Sequence, residues 1–497
     1  MDSLMQAPFI LFLIIIPLTI LLGLVLSALL PQQKLSYPPG PKGLPIIGNM
    51  RIMDQLTHRG LAKLANLYSG ILHLRMGFLH MVVVSSADVA RQVLQVQDIT
   101  FSNRPATVAI RYLTYDRADL AFAHYGPFWR QMRKLSIVKL FSRKRAESWE
   151  SVRDEVDSAV RVVSARAGTA VNIGEVVFSM TKSIIYRAAF GSSSKEGQDE
   201  FIAIMREVSE LFGAFNIADF FPWLGWLDPQ GIKPRLVKSR KSLDKFIDNI
   251  IDDHIQNSKG EGDETDIVDD LLAFNRDQAT GKESAILLTR DNIKAIILRS
   301  TVASTIEWAI TELMRNPEEL KKVQQELVDV VGFDRRLQES DVENLTYLKC
   351  ALKETLRLHP PVPLLLHETA EDTEVSGYHI PKKSHVMINV WAIGRDKDFW
   401  DEPETFMPSR FLKEGMPDFK GSGNFDYIPF GSGRRSCPGM QLGRHMLELS
   451  VGHLLHCFTW ELDNAGSGID MTDVFGLTTP RASRLVAVPN KRVTMSL

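Results

Sequence analysis

Apolar residues are not spread evenly along the chain, and the first block differs from all the others. Pro8 to Leu30 is 23 residues without a charge, rich in Leu and Ile. About 20 such residues suffice to cross a bilayer. A cleaved signal peptide would start with a basic residue and have a shorter apolar run, but this chain starts Met1-Asp2-Ser3. Lys34, Lys42 and Arg51 follow the block, so the positive-inside rule puts the larger C-terminal part in the cytosol. Pro38-Pro39-Gly40-Pro41, then Gly43 and Pro45, make a stiff extended spacer, because proline fixes φ and stops a helix. The pattern predicts a membrane anchor at residues 1–34, a proline-rich hinge at 35–48 and one large domain at 49–497.

Within that domain the period changes several times. Ile71 to Met76 and Met81 to Val84 read as strands around Gly77, being short apolar runs rich in β-branched residues. Ser86 to Phe190 and Gln198 to Ile255 have mostly helical spacing. Asn257 to Asp266 is polar and acidic, a surface loop. Leu288 to Arg315 reads as one long helix that stops before Asn316-Pro317. Further helices are expected over Pro317 to Val331, Leu345 to Leu358 and Gln441 to Cys457. Glu374 to Val390 reads as short strands with a turn at Gly377. The predicted fold class is mainly α with a minor β-sheet portion.

Composition narrows the function classes. The formal net charge is −2 over 497 residues, so nothing drives the whole chain toward nucleic acid or anionic lipid. The cysteines are Cys350, Cys437 and Cys457, an odd and low count that excludes a disulfide framework and fits a reducing compartment.

One cysteine lies in an unusual setting: Phe430-Gly-Ser-Gly-Arg-Arg-Ser-Cys437-Pro-Gly439. Glycines let the backbone approach a flat ligand, since no Cβ intervenes. Such a loop also turns amide N–H groups toward the sulfur, which favours the thiolate. A thiolate so held suits a haem iron engaged in dioxygen chemistry. A dinucleotide fingerprint would need glycine at Ser436, and a phosphate loop would need Lys-Ser or Lys-Thr after its last glycine. Phe430, Gly433, Arg435, Cys437 and Gly439 match F-x-x-G-x-R-x-C-x-G, and on this stretch the chain resembles the cytochromes P450. The resemblance runs from the N-terminal block to Arg484. It implies the P450 fold with an N-terminal transmembrane helix, and haem b with Cys437 as the metal's axial thiolate.

Other segments carry the same resemblance. Glu354 and Arg357 match E-x-x-R, whose i, i+3 spacing puts both on one helix face. Phe406-Met-Pro-Ser-Arg410 matches F-x-P-x-R. The resemblance implies that Arg410 joins the Glu354–Arg357 pair in a structural role. Trp129 and Arg133 match the W-x-x-x-R of the helix crossing the haem edge. Arg133 and Arg435 are implied partners of the haem propionates, because guanidinium grips carboxylate as a fork. His367 stands where the family often places another, although a hydrogen-bonded strand histidine is the plainer alternative. Phe430 is implied to pack near the sulfur, and Gly439 to lie against the haem. Arg130, Arg133, Lys134, Lys139, Arg143, Lys144 and Arg145 form a basic run. It is either a solvated helix face or a docking patch for an acidic reductase.

The pattern breaks at Ile296-Ile-Leu-Arg299-Ser-Thr301-Val-Ala-Ser-Thr305. Active family members usually carry [A/G]-G-x-[D/E]-T here, where the small pair admits dioxygen and the acid and threonine order a water chain delivering protons. Thr301 keeps the catalytic threonine, but Ser300 replaces the acid, and Ile297 and Leu298 replace the small pair. Against similar plant chains the helix is shorter by about six residues, ~9 Å of rise and not a whole number of turns. The two flanking halves therefore cannot both keep their faces toward the haem. Three readings stay open. The chain is an inactive variant or an incorrectly joined reading frame, a working enzyme with altered oxygen chemistry, or a haem-thiolate enzyme that rearranges a peroxide without a proton relay.

Within the family the chain is most similar to the plant ferulate 5-hydroxylases, also called coniferaldehyde 5-hydroxylases. Asn424-Phe-Asp-Tyr-Ile-Pro429, Met471-Thr-Asp-Val-Phe-Gly-Leu-Thr478 and Thr369-Ala-Glu-Asp372 carry this similarity. It implies 5-hydroxylation of ferulate, coniferaldehyde or coniferyl alcohol, a step toward syringyl lignin. The partners implied are NADPH-cytochrome P450 reductase, dioxygen and a small phenolic substrate. The implied location is the endoplasmic reticulum membrane, with a single span and the haem domain in the cytosol. Three regions are expected to line the substrate side: the loop from Pro105 to Tyr125, the aromatic run from Leu211 to Trp226, and Leu364 to Leu366 with Leu477 and Thr478. A haem-thiolate isomerase or dehydratase, and a non-catalytic haem-binding membrane protein, are the alternatives from other classes.

Overall fold

The computed structural model describes residues 36–141, 150–190, 197–214, 216–257, 266–279, 288–296, 302–419, 423–462 and 468–493. The apolar block Pro8 to Leu30 lies outside the described residues, as does Thr301 with Ile297 to Ser300. Among the described residues no helix is long and apolar enough to cross a membrane.

The helices of seven residues or more are, in chain order, α1 (His58–Ala65), α2 (Pro127–Leu135), α3 (Glu150–Ser164), α4 (Ile173–Phe190), α5 (Gln198–Gly213) and α6 (Ile232–Gln256). They continue with α7 (Ile267–Ala279), α8 (Arg290–Ile296), α9 (Val302–Arg315), α10 (Pro317–Val331), α11 (Thr346–Leu358) and α12 (Met440–Cys457). The strands are β1 (Ile71–Met76), β2 (Leu79–Val84), β3 (Val171–Asn172), β4 (Leu364–Glu368), β5 (Thr373–Val375), β6 (Tyr378–Ile380), β7 (His385–Asn389), β8 (Phe458–Leu462) and β9 (Val486–Lys491). This is the mainly helical fold with a minor sheet that the periodicity predicts.

The main sheet has the order β1-β2-β7-β4. β1 and β2 form a hairpin about Gly77, at φ 61°, with Met76 opposite Leu79. β2 runs parallel to β7, and β4 antiparallel to it. Period-2 alternation sends Met81 and Val83 into one cluster with Leu61, Leu72 and Leu74. Val82 and Val84 go into another, with Ile71 and Phe101. Both faces are covered, so the run from Met81 to Val84 is continuously apolar rather than alternating. β3, β9 and β8 form a second sheet, and β5 with β6 a small hairpin. β3 interrupts the helical stretch expected from Ser86 to Phe190, because Val171 and Asn172 pair with Ala487 and Val486.

The helical core centres on α9, which packs against α4, α11 and α12. α12 is buried from His445 to Cys457. α10 begins with Pro317 in its first turn, where the missing N–H costs no hydrogen bond. The expected helix from Leu288 begins later, at Arg290. Thr289 and Asn292 close a cap there, each side chain accepting from the other's backbone N–H at 3.2 and 2.8 Å, which satisfies donors a helix start leaves orphaned. Cys350 and Cys457 are buried free thiols, acting as small apolar side chains.

Candidate active site

The cysteine loop hangs between α11 and α12. Gly433 has φ 65°, and a Cβ there would lie 2.1 Å from the Leu94 carbonyl oxygen, so only glycine brings the loop this close to that turn. Gly433→Ala combines a backbone collision with about 1–2 kcal/mol of left-handed strain. It is expected to destabilise the loop by at least ~2 kcal/mol. Thermal unfolding together with the haem-to-protein ratio checks this, and unchanged values for both would contradict it.

The Cys437 N–H donates to Phe430 O at 2.8 Å, and Phe430 meets Phe419 edge-on at 5.8 Å. The Cys437 side chain is open to solvent, yet it sits deep enough for burial to push its thiol pKa up. Together these describe a sulfur at the floor of a hollow. The Gly439 N–H and the Arg133 charge act in the opposite direction. The expected donors around the sulfur are present, and in the protein alone desolvation opposes them. A Cβ on Gly439 would meet nothing within 4 Å, so the space beside the sulfur is open.

Two guanidiniums flank that space. Arg435 is buried and donates to the carbonyls of Ser102 at 2.5 Å, Ala123 at 2.5 Å and Leu120 at 3.3 Å. Its guanidinium lies 4.5 Å from the Trp129 ring centroid. Arg133 donates to Ser436 Oγ at 2.9 Å and to the Ser436 carbonyl. Among the described residues neither has a carboxylate within ion-pair distance. Burial, then the charges of Arg104 and Arg133, push Arg435 down to about 9. Charged groups buried this way are normally paired. The pair therefore fits an anionic ligand beside Cys437, as the propionates of a haem would be. Trp129 gives its only donor to Leu120 O at 3.0 Å.

His367 lies on β4, fully enclosed. Its imidazole Nδ1 donates to Phe101 O at 2.8 Å. Burial, then the Arg104 and Arg435 charges, hold its pKa far below the usual histidine range. The plain strand-histidine alternative accounts for Nδ1. Arg104, which sequence reasoning passed over, donates to Leu366 O and to Arg435 O at 3.3 Å. Its only sequence signal is the position of Asn103-Arg104-Pro105 just before the expected substrate loop.

The structural triad forms as expected. Glu354 takes Arg357 at 2.7 and 2.8 Å, Arg410 at 3.0 Å and the Met407 N–H at 2.9 Å. Arg357 also donates to Gly394 O at 2.7 Å and Pro403 O at 2.6 Å, and Arg410 to Asp401 O at 2.8 Å. The charges tie α11 to the segment that leads on to the cysteine loop.

Parts of the three regions expected to line the substrate side touch one another. Phe122 and Phe212 lie 6.4 Å apart. Gly213 approaches the backbone of Gly476 and Leu477. Ser304 and Trp308 of α9 donate to Thr479 O at 3.3 and 3.1 Å. Of the basic run, Arg130 and Lys134 face outward and Arg133 turns inward; Arg143 to Arg145 lie outside the described residues.

Residues 38–486 match the family model described as Cytochrome P450. The chain is 64% identical to Cytochrome P450 84A1 of Arabidopsis thaliana, over 96% of this chain and 95% of that protein. It is 56% identical to Cytochrome P450 84A4 of the same plant, over 97% and 98%. A zebrafish cytochrome P450 solved with progesterone superposes with a TM-score of 0.75 at 27% identity, covering 88% of this chain and 99% of the other. With the family's signature, its fold and a cationic hollow beside an open cysteine all present in one chain, this protein belongs to the cytochrome P450 family of haem-thiolate monooxygenases.

Proposed function

We propose that the chain hydroxylates the aromatic ring of a phenylpropanoid: the 5-position of ferulate, coniferaldehyde or coniferyl alcohol. The observation that carries this is the end-to-end similarity to two plant P450s, together with the segments Asn424 to Pro429 and Met471 to Thr478. Part of that second segment has a structural task, since Asp473 accepts from Arg59 Nε at 3.2 Å and lies 3.5 Å from His58. Its Leu477 end, by contrast, reaches the substrate side. The balanced reaction takes an aromatic C–H, dioxygen, NADPH and a proton to an aromatic C–OH, water and NADP⁺.

Haem b, bound through the Cys437 thiolate, supplies the dioxygen activation and oxygen transfer. Arg133 and Arg435 would hold its propionates, with the neutral His367 packed close to Arg435. Trp129 supports Arg435 through its ring. Gly439 leaves room at the sulfur, and Phe430 shields it. Glu354, Arg357 and Arg410 brace the loop without touching the reacting atoms. Phe122 and Phe212 exclude water from the ring being oxidised. Thr301, outside the described residues, is the proposed catalytic threonine.

Electrons come from NADPH-cytochrome P450 reductase, which meets the face carrying Arg130 and Lys134. Residues 1–34 anchor the chain in the endoplasmic reticulum membrane, 35–48 form the hinge and 49–497 the haem domain. Trp223, Trp226 and Leu227, all exposed, form an apolar surface of the kind that meets a membrane.

The test uses membranes containing the chain and a plant reductase, supplied with coniferaldehyde and NADPH. The expected result is 5-hydroxylated product in a ratio near one to NADPH consumed, lost when the reductase is left out. NADPH consumption with little product would place a defect at Arg299 to Thr301. Product from a hydroperoxide without reductase would replace this function with an isomerase or dehydratase.

A further inference from the structure

The loop 114–126 between the helical turn Val108–Leu113 and α2 holds three successive non-glycine residues in left-handed backbone: Tyr115 at φ 53°, Asp116 at 54° and Arg117 at 69°. Residues with a Cβ stay in that region only where their surroundings over-determine it. Here Tyr115 provides the constraint. Its hydroxyl donates to Asp244 Oδ1 of α6 at 2.6 Å. Arg240, one turn earlier on α6, lies 4.1 Å from the Tyr115 ring centroid and donates to Tyr112 O at 2.8 Å.

The same Asp244 oxygen accepts from Lys294 of α8 at 2.9 Å, and Lys294 also donates to Asp248 at 2.7 Å. The Lys294 side chain is only 7% exposed, whereas its two carboxylate partners are each 35% exposed, so the charge-assisted bonds are partly shielded from water. Asn292 of α8 adds a bond to Ala118 O of the loop at 2.9 Å. One carboxylate thus joins the loop, α6 and α8. The far end of the loop supplies the Leu120 and Ala123 carbonyls that hold Arg435, and it carries Phe122 against Phe212.

We propose that Tyr115 is a positioning residue for the substrate side: its phenol, through Asp244, locks the loop 114–126 onto α6 and α8, and breaking this bond is the step that opens the loop to ligands. With the bond broken, the left-handed turn keeps its own bonds, such as Asp116 N–H to Arg111 O at 2.8 Å, but loses its tie to the α6 carboxylate, and Ala118 and Phe122 withdraw from Asn292 and Phe212. Burial and Asp244 push the Tyr115 pKa upward, so the phenol keeps its proton and acts as a donor throughout the working range. The groups facing it are Arg240, Asp244 and Asp291, with Lys294 beyond the carboxylate.

The test does not need the substrate, so it stands apart from the choice of phenylpropanoid. Full-length holoenzyme and the variants Tyr115→Phe, Asp244→Asn and the double variant are mixed with imidazole, and the Soret shift gives the rate of access to the ferric haem. The thiolate-type ferrous–CO spectrum reports an intact cofactor site. Tyr115→Phe keeps the ring over Arg240 and is expected to raise the access rate by about fivefold to tenfold with that spectrum unchanged. The double variant is expected to match Asp244→Asn, which weakens both the Tyr115 and the Lys294 bonds, because Tyr115→Phe acts only through the first. Rates within about twofold of wild type, or additive effects of the two changes, would overturn the proposal. Should the variants lose haem, hydrogen exchange on the wild type decides. Loop amides opening well before those of α6 support it, and equal protection refutes it.

Discussion

Glu354→Ala is expected to leave little folded, haem-loaded protein. Glu354 is completely buried and receives four donors, three of them from the guanidiniums of Arg357 and Arg410. Both arginines are themselves buried, at 2% and 3% exposure. Removing the carboxylate leaves two cations without a counter-charge in a region that water does not reach. Breaking a buried ion pair by deleting one partner costs about 3–5 kcal/mol, a large share of the ~5–15 kcal/mol that holds a typical protein folded. Main-chain bonds from Arg357 to Gly394 and Pro403 would hold the side chains in place but not neutralise them. Arg410→Ala is expected to cost less, about 2 kcal/mol, because Glu354 keeps Arg357. Thermal unfolding and haem content measure both. A Glu354→Ala protein within ~1 kcal/mol of wild type would show that the triad does not brace the loop.

Cys437→Ala is expected to abolish the thiolate-type ferrous–CO spectrum and to lower turnover on the order of 10³-fold or more, as loss of a group at the reacting centre does. The comparison is internal to the chain. Cys350 and Cys457 are buried and Cys437 is open. Alanine at either buried position is expected to cost only packing, about 1–2 kcal/mol at most, with the spectrum unchanged. If Cys437→Ala kept the spectrum while Cys350→Ala or Cys457→Ala lost it, the ligand assignment would be wrong. The triad and the thiolate predictions separate cleanly, because the first acts through stability and the second through the electronic character of the site.

Much of this was written in the sequence. The hairpin about Gly77, the helix Pro317–Val331, the helix after Gly439 and the strands on either side of Gly377 all follow from local rules of period, proline placement and glycine turns. The cysteine loop was legible from its own residues, and the Glu354–Arg357–Arg410 triad through the resemblance to the cytochromes P450. The hollow beside Cys437 was legible only in outline. Arg133 and Arg435 were named, but their partners are the carbonyls of Ser102, Leu120 and Ala123 and the Ser436 backbone and hydroxyl. Every residue carries a carbonyl, so a bond to one leaves no mark in the sequence. The thiol of Cys437 was expected to be favoured as thiolate, and only the packing around it showed that desolvation opposes the Gly439 donor.

The Tyr115–Asp244–Lys294 junction lies wholly on the tertiary side of that line. Asp244 and Asp248 stand in the sequence as ordinary charged positions of α6, and Lys294 as one of three charges in α8. Nothing local indicates that one carboxylate oxygen would take a phenol from 129 positions away and an ammonium from 50. The sequence determined the elements, the cysteine loop and the Glu354–Arg357 pair, because those depend on neighbours along the chain; Arg410 joins that pair from 56 positions away, as only the resemblance implied. The tertiary structure decided which loop is locked, and to what, because that depends on the distance between helices that only packing sets.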